Sequence, residues 1–343
     1  MSNDNSPQVY VPTDIYSPDA EDVIYFSRPK PRYWLHGFLF LLTIFSTLIV
    51  GSRLEWNFLS GLPSFSMDDS IFPSLTWAFQ GRNLLLGIPF SVTLMLILLA
   101  HEMGHYIYCV RYRVSATLPF FIPFPTLFGT MGAFIRIRSP LRSRDALFDI
   151  GIAGPIAGFV VALPVLIFSL GLSHVAPNGA GVPEIQFGYP LVFQLVQTLL
   201  ASSGHAHQIA GVSLSHLYLH PVAVAAWVGM FATSLNLLPG GQLDGGHIIF
   251  SVSPRAHRKI SNATIIALIL MAVYFWAGWL IWAILLRLSG MRHPAVPPYP
   301  ALSRGRQRLA TLALVMLVLT FAPSPILHGS LFEVLQQQWH GIR

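Results

Sequence analysis

Long segments without charged side chains constrain this chain more than any other feature. Asp, Glu, Lys and Arg are all absent from six segments, at positions 33–52, 83–100, 150–183, 185–243, 260–286 and 309–332. Apolar segments of about 18 residues or more can cross roughly 30 Å of hydrocarbon as helices. Only 10% of the residues are charged, against about 25% in an average soluble domain. The pattern predicts an all-α polytopic membrane protein and excludes a soluble enzyme, a nucleic-acid-binding protein and a disordered chain.

The distribution of basic residues predicts how the chain is oriented in the membrane. The chain has 20 Lys and Arg against 14 Asp and Glu, a formal net charge of +6. Arginines cluster at 111–144, whereas residues 174–220 contain one carboxylate and neither Lys nor Arg. Because short cytoplasmic loops are enriched in Lys and Arg, we expect a multi-pass protein of the cell (cytoplasmic) membrane with a cytoplasmic N-terminus. The positive charge is then explained by basic loops beside the lipid bilayer, and no nucleic-acid partner is expected.

About six transmembrane helices are expected, at approximately 34–51, 84–110, 146–172, 222–238, 265–286 and 309–321. The segment 265–286 is preferred as a single pass, although this places the arginines that follow it outside, against the rule for basic loops. The aromatic residues around Gly278 could instead mark a turn between two shorter legs, which would restore the rule.

Residues 115–138 do not fit a straight helix. The segment 117–131 is apolar but interrupted by Pro and Gly, and 132–138 alternates as a strand does. Non-helical backbone at membrane depth is tolerated only where it is buried in protein or lines a wet cavity. We therefore predict a re-entrant, β-hairpin-like segment.

The domain organisation follows from the same reading. Residues 1–33 are expected to form a mobile polar tail, because they lack the basic and apolar regions of a cleaved signal peptide and are too acidic for a transit peptide. A transmembrane domain is expected at 34–322, with a core at 84–259 and an extracytoplasmic insert at 174–220. Residues 323–343 are expected to form a C-terminal tail. The single cysteine, Cys109, excludes an intramolecular disulfide and a Cys-built zinc finger.

His101, Glu102 and His105 form the sequence HExxH on the second predicted span. Side chains at i and i+4 lie on one face of a helix, so both imidazoles can bind a single metal ion. Glu102 lies next to His101 and can reach a metal-bound water without being a ligand. The same residues could instead line an ion or proton path, because ionisable groups within a membrane also mark transport routes.

Asp244 is the candidate for a third ligand. A catalytic zinc ion commonly has three protein ligands and one water, and Asp244 is the only carboxylate between Glu184 and Glu333. It lies in the sequence PGGQLDGG, whose proline and glycines interrupt regular helix and let the carboxylate point back into the bundle. Alternatively, Asp244 simply caps the helix that follows.

The chain resembles the site-2 protease family of intramembrane zinc metalloproteases, in its bacterial, archaeal and plastid-like branch. The resemblance rests on HEMGH at 101–105 and NLLPGGQLDGG at 236–246, and it extends to GTMGAFIRIRSP at 129–140 and FDIGIAGPIAG at 148–158. The glycines of the last segment would also let another helix approach closely.

The resemblance implies a set of site residues. It implies that Zn²⁺ is bound by His101, His105 and Asp244 and that Glu102 is the catalytic base. Asn236, at the matching position of the second motif, would hold the substrate backbone or the oxyanion, or else it is a helix-packing amide.

The function predicted from these residues is intramembrane, zinc-dependent endopeptidase activity on transmembrane or membrane-anchored protein substrates, with the active site in the cytoplasmic half of the bilayer. A polytopic transporter or channel that uses the same residues as an ion site is the alternative, but it would be favoured by an internal repeat, and the sequence has none. A protease of the type that processes prenylated proteins would need a glutamate as third ligand, and beyond Glu184 only Glu333 is available.

Overall fold

The computed structural model describes residues 32–65, 78–124, 127–141, 143–176, 185–204, 209, 211–288, 296 and 301–341. The predicted N-terminal tail lies almost entirely outside these residues. The described helices are α1 (Tyr33–Leu59), α2 (Ile88–Arg111), α3 (Arg144–Leu172), α4 (Leu191–Ser202), α5 (Pro221–Asn236), α6 (Asp244–Val252), α7 (Pro254–Tyr274), α8 (Trp279–Leu288), α9 (Arg304–Thr320) and α10 (Leu331–Gly341). The described strands are β1 (Phe120–Pro123), β2 (Thr130–Phe134), β3 (His174–Val175) and β4 (Leu217–Tyr218).

The described part of the chain is mostly helical and contains four helices that are long and apolar enough to cross a membrane. These are Tyr33–Leu59, Asn83–Arg111, Arg144–Leu172 and Pro254–Tyr274. The helix α5, predicted as a span, has 16 residues, fewer than the roughly 20 that a full crossing needs. The total of about six spans therefore stays a prediction.

The helices α2, α3 and α5 pack against one another and form the centre of the molecule. Phe90, Leu94, Leu166 and Trp227 are buried in the hydrophobic cluster between them. A serine begins α3 in the expected way, since Ser143 accepts a hydrogen bond from the N–H of Ala146. This three-helix core fixes the relative positions of the two sequence motifs, because α2 carries the first and α5 leads into the second.

A β-hairpin occupies part of the segment predicted to be hairpin-like. Strands β1 and β2 are antiparallel neighbours, and the hairpin lies along α1. His36 Nδ1 donates to the Pro119 carbonyl at 3.2 Å, and Ser46 Oγ donates to the Gly129 carbonyl at 2.6 Å. Ten helical residues separate these two contacts, which corresponds to about 15 Å along the axis of α1.

The single pass predicted over residues 265–286 is wrong. Helix α7 ends at Tyr274 and a turn leads into α8, and the two helices pack against each other. Gly240 lies against both Ser261, near the start of α7, and Leu286, near the end of α8, so the pair is antiparallel. The indole Nε1 of the fully buried Trp279 donates to the Pro323 carbonyl at 2.6 Å. This hydrogen bond between remote segments favours the turn, and a hydropathy profile does not register it.

The described part of the predicted insert is packed into the rest of the molecule. Helix α4 buries Phe193 completely. The N–H of Gly188 donates to the Pro325 carbonyl at 3.1 Å, and the N–H of Leu327 donates to the Gln186 carbonyl at 2.8 Å. The insert therefore pairs with the chain that follows α9, on the side away from the N-terminus of α9.

Candidate metal centre

Three side chains predicted as metal ligands converge in the structure. His101 and His105 lie one turn apart on α2, and Asp244 is the first residue of α6. The Oδ2 atom of Asp244 lies 3.3 Å from His101 Nε2 and 3.2 Å from His105 Nε2. One donor atom from each side chain lies within 4.8 Å of the other two. Both histidines are buried, so the donors face a site that is shielded from bulk water.

Glycines of α3 provide the space for the two imidazoles. A Cβ atom at Gly154 would lie 2.0 Å from His105 Nε2, and one at Gly158 would lie 3.1 Å from His101 Nδ1. The Nδ1 atom of His105 lies 2.7 Å from the Ile150 carbonyl oxygen, which can only accept, so Nδ1 donates. The lone pair of His105 Nε2 is thereby directed toward Asp244.

A glycine-rich turn between α5 and α6 returns Asp244 to the histidines. Gly241 has a φ of +56°, in the left-handed region that glycine tolerates best. A Cβ at Gly245 would lie 2.1 Å from the Leu237 carbonyl oxygen, so this turn closes tightly only with glycine. Helix α7 supports the turn, since Ser261 Oγ accepts from the N–H of Gly241 at 3.2 Å. The carboxylate of Asp244 contacts the two imidazoles. It does not cap α6, because the N-cap residue of that helix is Leu243 and no side chain hydrogen-bonds there.

Glu102 borders a cavity of about 250 Å³ beside the three donors. Its polar lining residues are Glu102, His105, Asn236, Gln242, Asp244 and His247. The wall across from them is the hairpin segment that contains Phe134 and Ile135, and the backbone N–H of Ile135 hydrogen-bonds the Glu102 carboxylate. Glu102 is 5% exposed and does not belong to the donor group, so it is available to a molecule bound in the cavity.

Asn236 also reaches the site. It is the last residue of α5, and its amide Nδ2 lies 3.2 Å from His101 Nε2. Sequence reasoning singled out Asn236 but not Gln242 or the backbone of Ile135. Gln242 lies within the second motif, which is the one signal that could have indicated it. The role of the Ile135 backbone depends on how the hairpin is placed against α2.

A charged cluster that the sequence did not reveal joins α3 to α9. Arg306 donates from Nε and Nη2 to the Asp149 carboxylate at 2.8 Å each, and its Nη1 lies 2.9 Å from Asp145 Oδ2. The hydroxyl of Tyr112 also donates to Asp149. Residues 149 and 306 are far apart in sequence, so no spacing rule could pair them.

Glu333 is the only carboxylate that follows Asp244 in the sequence. It does not lie at the metal centre. Ser330 and Glu333 form a reciprocal capping box at the start of α10, in which Glu333 Oε2 accepts from the N–H of Ser330 at 3.2 Å and Ser330 Oγ accepts from the N–H of Glu333 at 3.1 Å. Glu333 is therefore not the third ligand that a protease of the type that processes prenylated proteins would need.

Comparisons with known proteins identify the family of this chain. The model of peptidase family M50 matches residues 89–278. The probable zinc metalloprotease EGY1, chloroplastic, of Oryza sativa subsp. japonica is 35% identical over 65% of this chain and 39% of its own length. The EGY1 protein of Arabidopsis thaliana is 29% identical over 87% of this chain and 55% of its own length.

The probable zinc metalloprotease EGY2, chloroplastic, of Arabidopsis thaliana is 27% identical over 77% of this chain and 45% of its own length. This chain thus spans about half the length of the curated relatives it matches. No solved structure matches it.

Proposed function

This chain belongs to peptidase family M50, the site-2 protease family, and on that premise we propose that it is an intramembrane, zinc-dependent endopeptidase. Its substrates are transmembrane or membrane-anchored proteins. The observation that carries the proposal is the convergence of His101, His105 and Asp244 around one point beside the Glu102 carboxylate. Two distant motifs contribute to this one buried site.

The donor set fits a zinc ion. Zinc takes His nitrogens and carboxylate oxygens at about 2.1 Å in tetrahedral sites, which puts neighbouring donors about 3.4 Å apart. The contacts of Asp244 Oδ2 with His101 Nε2 and His105 Nε2, at 3.3 and 3.2 Å, are close to that separation. The hydrogen bond from His105 to Ile150 is the kind of outer contact that orients a metal-binding imidazole. His101, His105 and Asp244 would therefore hold Zn²⁺.

The reaction is peptide-bond hydrolysis. A zinc ion held by His101, His105 and Asp244 would lower the pKa of a water molecule and polarise the scissile carbonyl. Glu102 accepts a proton from the attacking water and transfers it to the leaving amine. The buried position of Glu102, together with the hydrogen bond from the Ile135 N–H, holds its carboxylate against the cavity. Asn236 donates its amide hydrogens to the substrate backbone or to the oxyanion, which its distance to His101 supports.

The hairpin presents the substrate in an extended form. A peptide bond inside a helix is already hydrogen-bonded, so the substrate segment must unwind before it is cut. Strand β2 pairs with β1 on one side only among the described strands, and the chain just beyond it lines the cavity at Ile135 and Ile137. An extended substrate segment adds along this edge by strand addition.

The hairpin and the metal centre lie in one half of the membrane. The hairpin follows α1 for about 15 Å, half of a hydrocarbon core of roughly 30 Å, as a re-entrant segment does. His105 and His101 precede Arg111, the end of α2, by six and ten residues, or about 9 and 15 Å.

The arginine-rich end of the molecule faces the cytoplasm. The ion pair of Arg306 with Asp149 brings the start of α9 to the start of α3. Arg144 donates to the Ser251 and Val252 carbonyls, which brings the end of α6 there too. The turn between α7 and α8 returns Arg287 to the same end. On this basis we propose a cytoplasmic N-terminus in a cell membrane and one membrane domain at residues 34–322, with a core at 84–259 and the insert 174–220 outside.

A cleavage assay tests the proposed function. The purified chain in lipid nanodiscs is incubated with a single-span protein substrate, and its zinc content is measured in parallel. We expect cleavage that is lost after removal of zinc with a chelator and regained when zinc is added back. Zinc-loaded protein that conducts or transports ions but cleaves none of a panel of single-span proteins would favour the transporter reading instead.

A further inference from the structure

Asp149 connects three helices at a position one residue before the Ile150 carbonyl. It lies in α3, and its side chain is 15% exposed. The hydroxyl of Tyr112, the residue that follows α2, donates to one carboxylate oxygen, and Arg306 of α9 donates to both oxygens. Arg306 Nη2 also donates to the Tyr112 hydroxyl at 3.2 Å, so the three side chains form a closed ring. We call Tyr112, Asp149 and Arg306 the α9 clamp.

The α9 clamp adds a second contact between α2 and α3 beside the one that His105 makes. His105 and Tyr112 are seven residues apart, which is close to two helical turns, so their side chains leave α2 on the same side. They bind adjacent residues of α3, because His105 Nδ1 donates to the Ile150 carbonyl at 2.7 Å and the Tyr112 hydroxyl donates to Asp149. A shift of α3 against α2 would therefore disturb both contacts together.

Arg306 brings a third helix to this junction. Its Nε and Nη2 atoms bind the two oxygens of Asp149 at 2.8 Å each, in the two-pronged geometry that makes arginine–carboxylate pairs strong. Removing Arg306 would leave a largely buried carboxylate without its cation, which is costly. Arg306 lies outside residues 89–278, the segment that the family model matches, so the support comes from beyond the matched segment.

The backbone of α3 has fewer hydrogen bonds of its own at this place. Pro155 lies inside α3 and has no N–H, so the Gly151 carbonyl lacks its usual helical partner. Gly151 and Gly154 add backbone freedom, because glycine is a poor helix former. The segment that carries the Ile150 carbonyl therefore depends more than a regular helix does on contacts made by its side chains.

We propose that Arg306 is a positioning residue for the metal centre. Through Asp149 it holds the Ile150 carbonyl where His105 Nδ1 donates to it, and this hydrogen bond directs His105 Nε2 toward the metal position. The proposal rests on the function proposed above, in which His105 is a zinc ligand. It goes further in stating that a residue of α9, which contributes no donor atom, sets the metal affinity of the site.

Metal affinity of the full-length protein in detergent tests the proposal. Zinc dissociation constants are measured by competition with a zinc-binding dye, and the visible spectrum of bound Co²⁺ is recorded because it reports the arrangement of the donor atoms. We expect Arg306→Gln to bind zinc about 10-fold more weakly, since loss of an outer partner costs roughly 10- to 100-fold, and to change the Co²⁺ spectrum. Arg306→Lys, which cannot bind both oxygens of Asp149 at once, should be intermediate.

Matched variants separate positioning from a general loss of stability. Asp145→Asn removes the other ion pair of Arg306, one helical turn before Asp149, and should leave zinc affinity unchanged. Gly188→Ala, which strains the insert away from the metal centre, should leave it unchanged too. Unaltered zinc affinity in Arg306→Gln, or an equal loss in either control, would overturn the proposal. Absence of zinc binding by the unmodified protein would overturn the proposed function as well, so the two failures are distinguishable.

Discussion

The imidazole of His105 donates from Nδ1 to the backbone carbonyl of Ile150, 2.7 Å away. This contact joins α2 to α3 and fixes the tautomer of His105, so that the Nε2 lone pair is directed toward Asp244. Pro155 lies five residues beyond Ile150 and has no N–H to donate to the Gly151 carbonyl. Helix α3 continues through Pro155, so the Gly151 carbonyl lacks its usual helical partner one residue after the carbonyl that holds His105.

The first prediction concerns the space that α3 leaves for His105. Gly154→Ala would place a methyl group 2.0 Å from His105 Nε2, so we expect zinc affinity to fall by at least about 10-fold, although no ligand is changed. Gly171→Ala, in the same helix, is the control, since its Cβ meets no atom within 4 Å. Zinc titration of the two variants measures the effect, and equal affinities would show that His105 is not confined as described.

The second prediction separates the base from the ligands. Glu102→Gln preserves the size of the side chain but removes its ability to accept a proton, so cleavage should fall by about 10²- to 10⁴-fold while zinc is retained. His101→Ala should lose both. Metal analysis and cleavage of a single-span substrate are measured on the same preparations. Loss of zinc from Glu102→Gln as large as that from His101→Ala would make Glu102 a ligand.

The third prediction concerns Asp244. Asp244→Ala should weaken zinc binding by more than the roughly 10- to 100-fold that loss of an outer hydrogen-bond partner costs, because among the described residues Asp244 is the only carboxylate in the group of converging donor atoms. Glu333→Gln removes a carboxylate that caps α10 and should leave zinc content unchanged. Full zinc occupancy in Asp244→Ala would exclude Asp244 from the ligand set.

The fourth prediction tests the α7–α8 hairpin. In a Cys109→Ser background, single cysteines at Ser253 and Arg287 should react with an impermeant thiol reagent from the same face of the membrane. A cysteine at Ser203, in the insert, should react from the opposite face. Labelling of Ser253 and Arg287 from opposite faces would mean that the chain crosses the membrane once between 265 and 286. That result would contradict the antiparallel α7–α8 pair.

The fifth prediction concerns the insert. A Cβ at Gly188 would lie 1.8 Å from the Ser324 carbonyl oxygen, and Trp227 Nε1 donates to the Gly188 carbonyl at 3.0 Å. Gly188→Ala should therefore lower the free energy of unfolding by about 1–3 kcal/mol, measured by unfolding in detergent. Because the insert lies away from the metal centre, the folded variant should retain zinc. Unchanged stability would show that this contact is loose.

The sequence alone determined the class of protein and most of the chemistry of the site. Uncharged apolar segments require a membrane, because a helix without charges at that length is costly in water and stable in lipid. HExxH needs only the helical repeat to bring His101 and His105 together. Asp244 could be singled out because a lone carboxylate beside an apolar helix is costly unless it is paired or bound.

The tertiary structure decided whatever depends on contacts between distant segments. Gly154 could be predicted to allow close packing, but that its space holds the His105 imidazole follows only from how α2 meets α3. The turn after Tyr274 depends on a hydrogen bond from Trp279 to residue 323, and the ion pair of Arg306 with Asp149 joins residues that no local pattern relates. Local rules act through neighbours along the chain, whereas these contacts form only once packing has brought remote segments together.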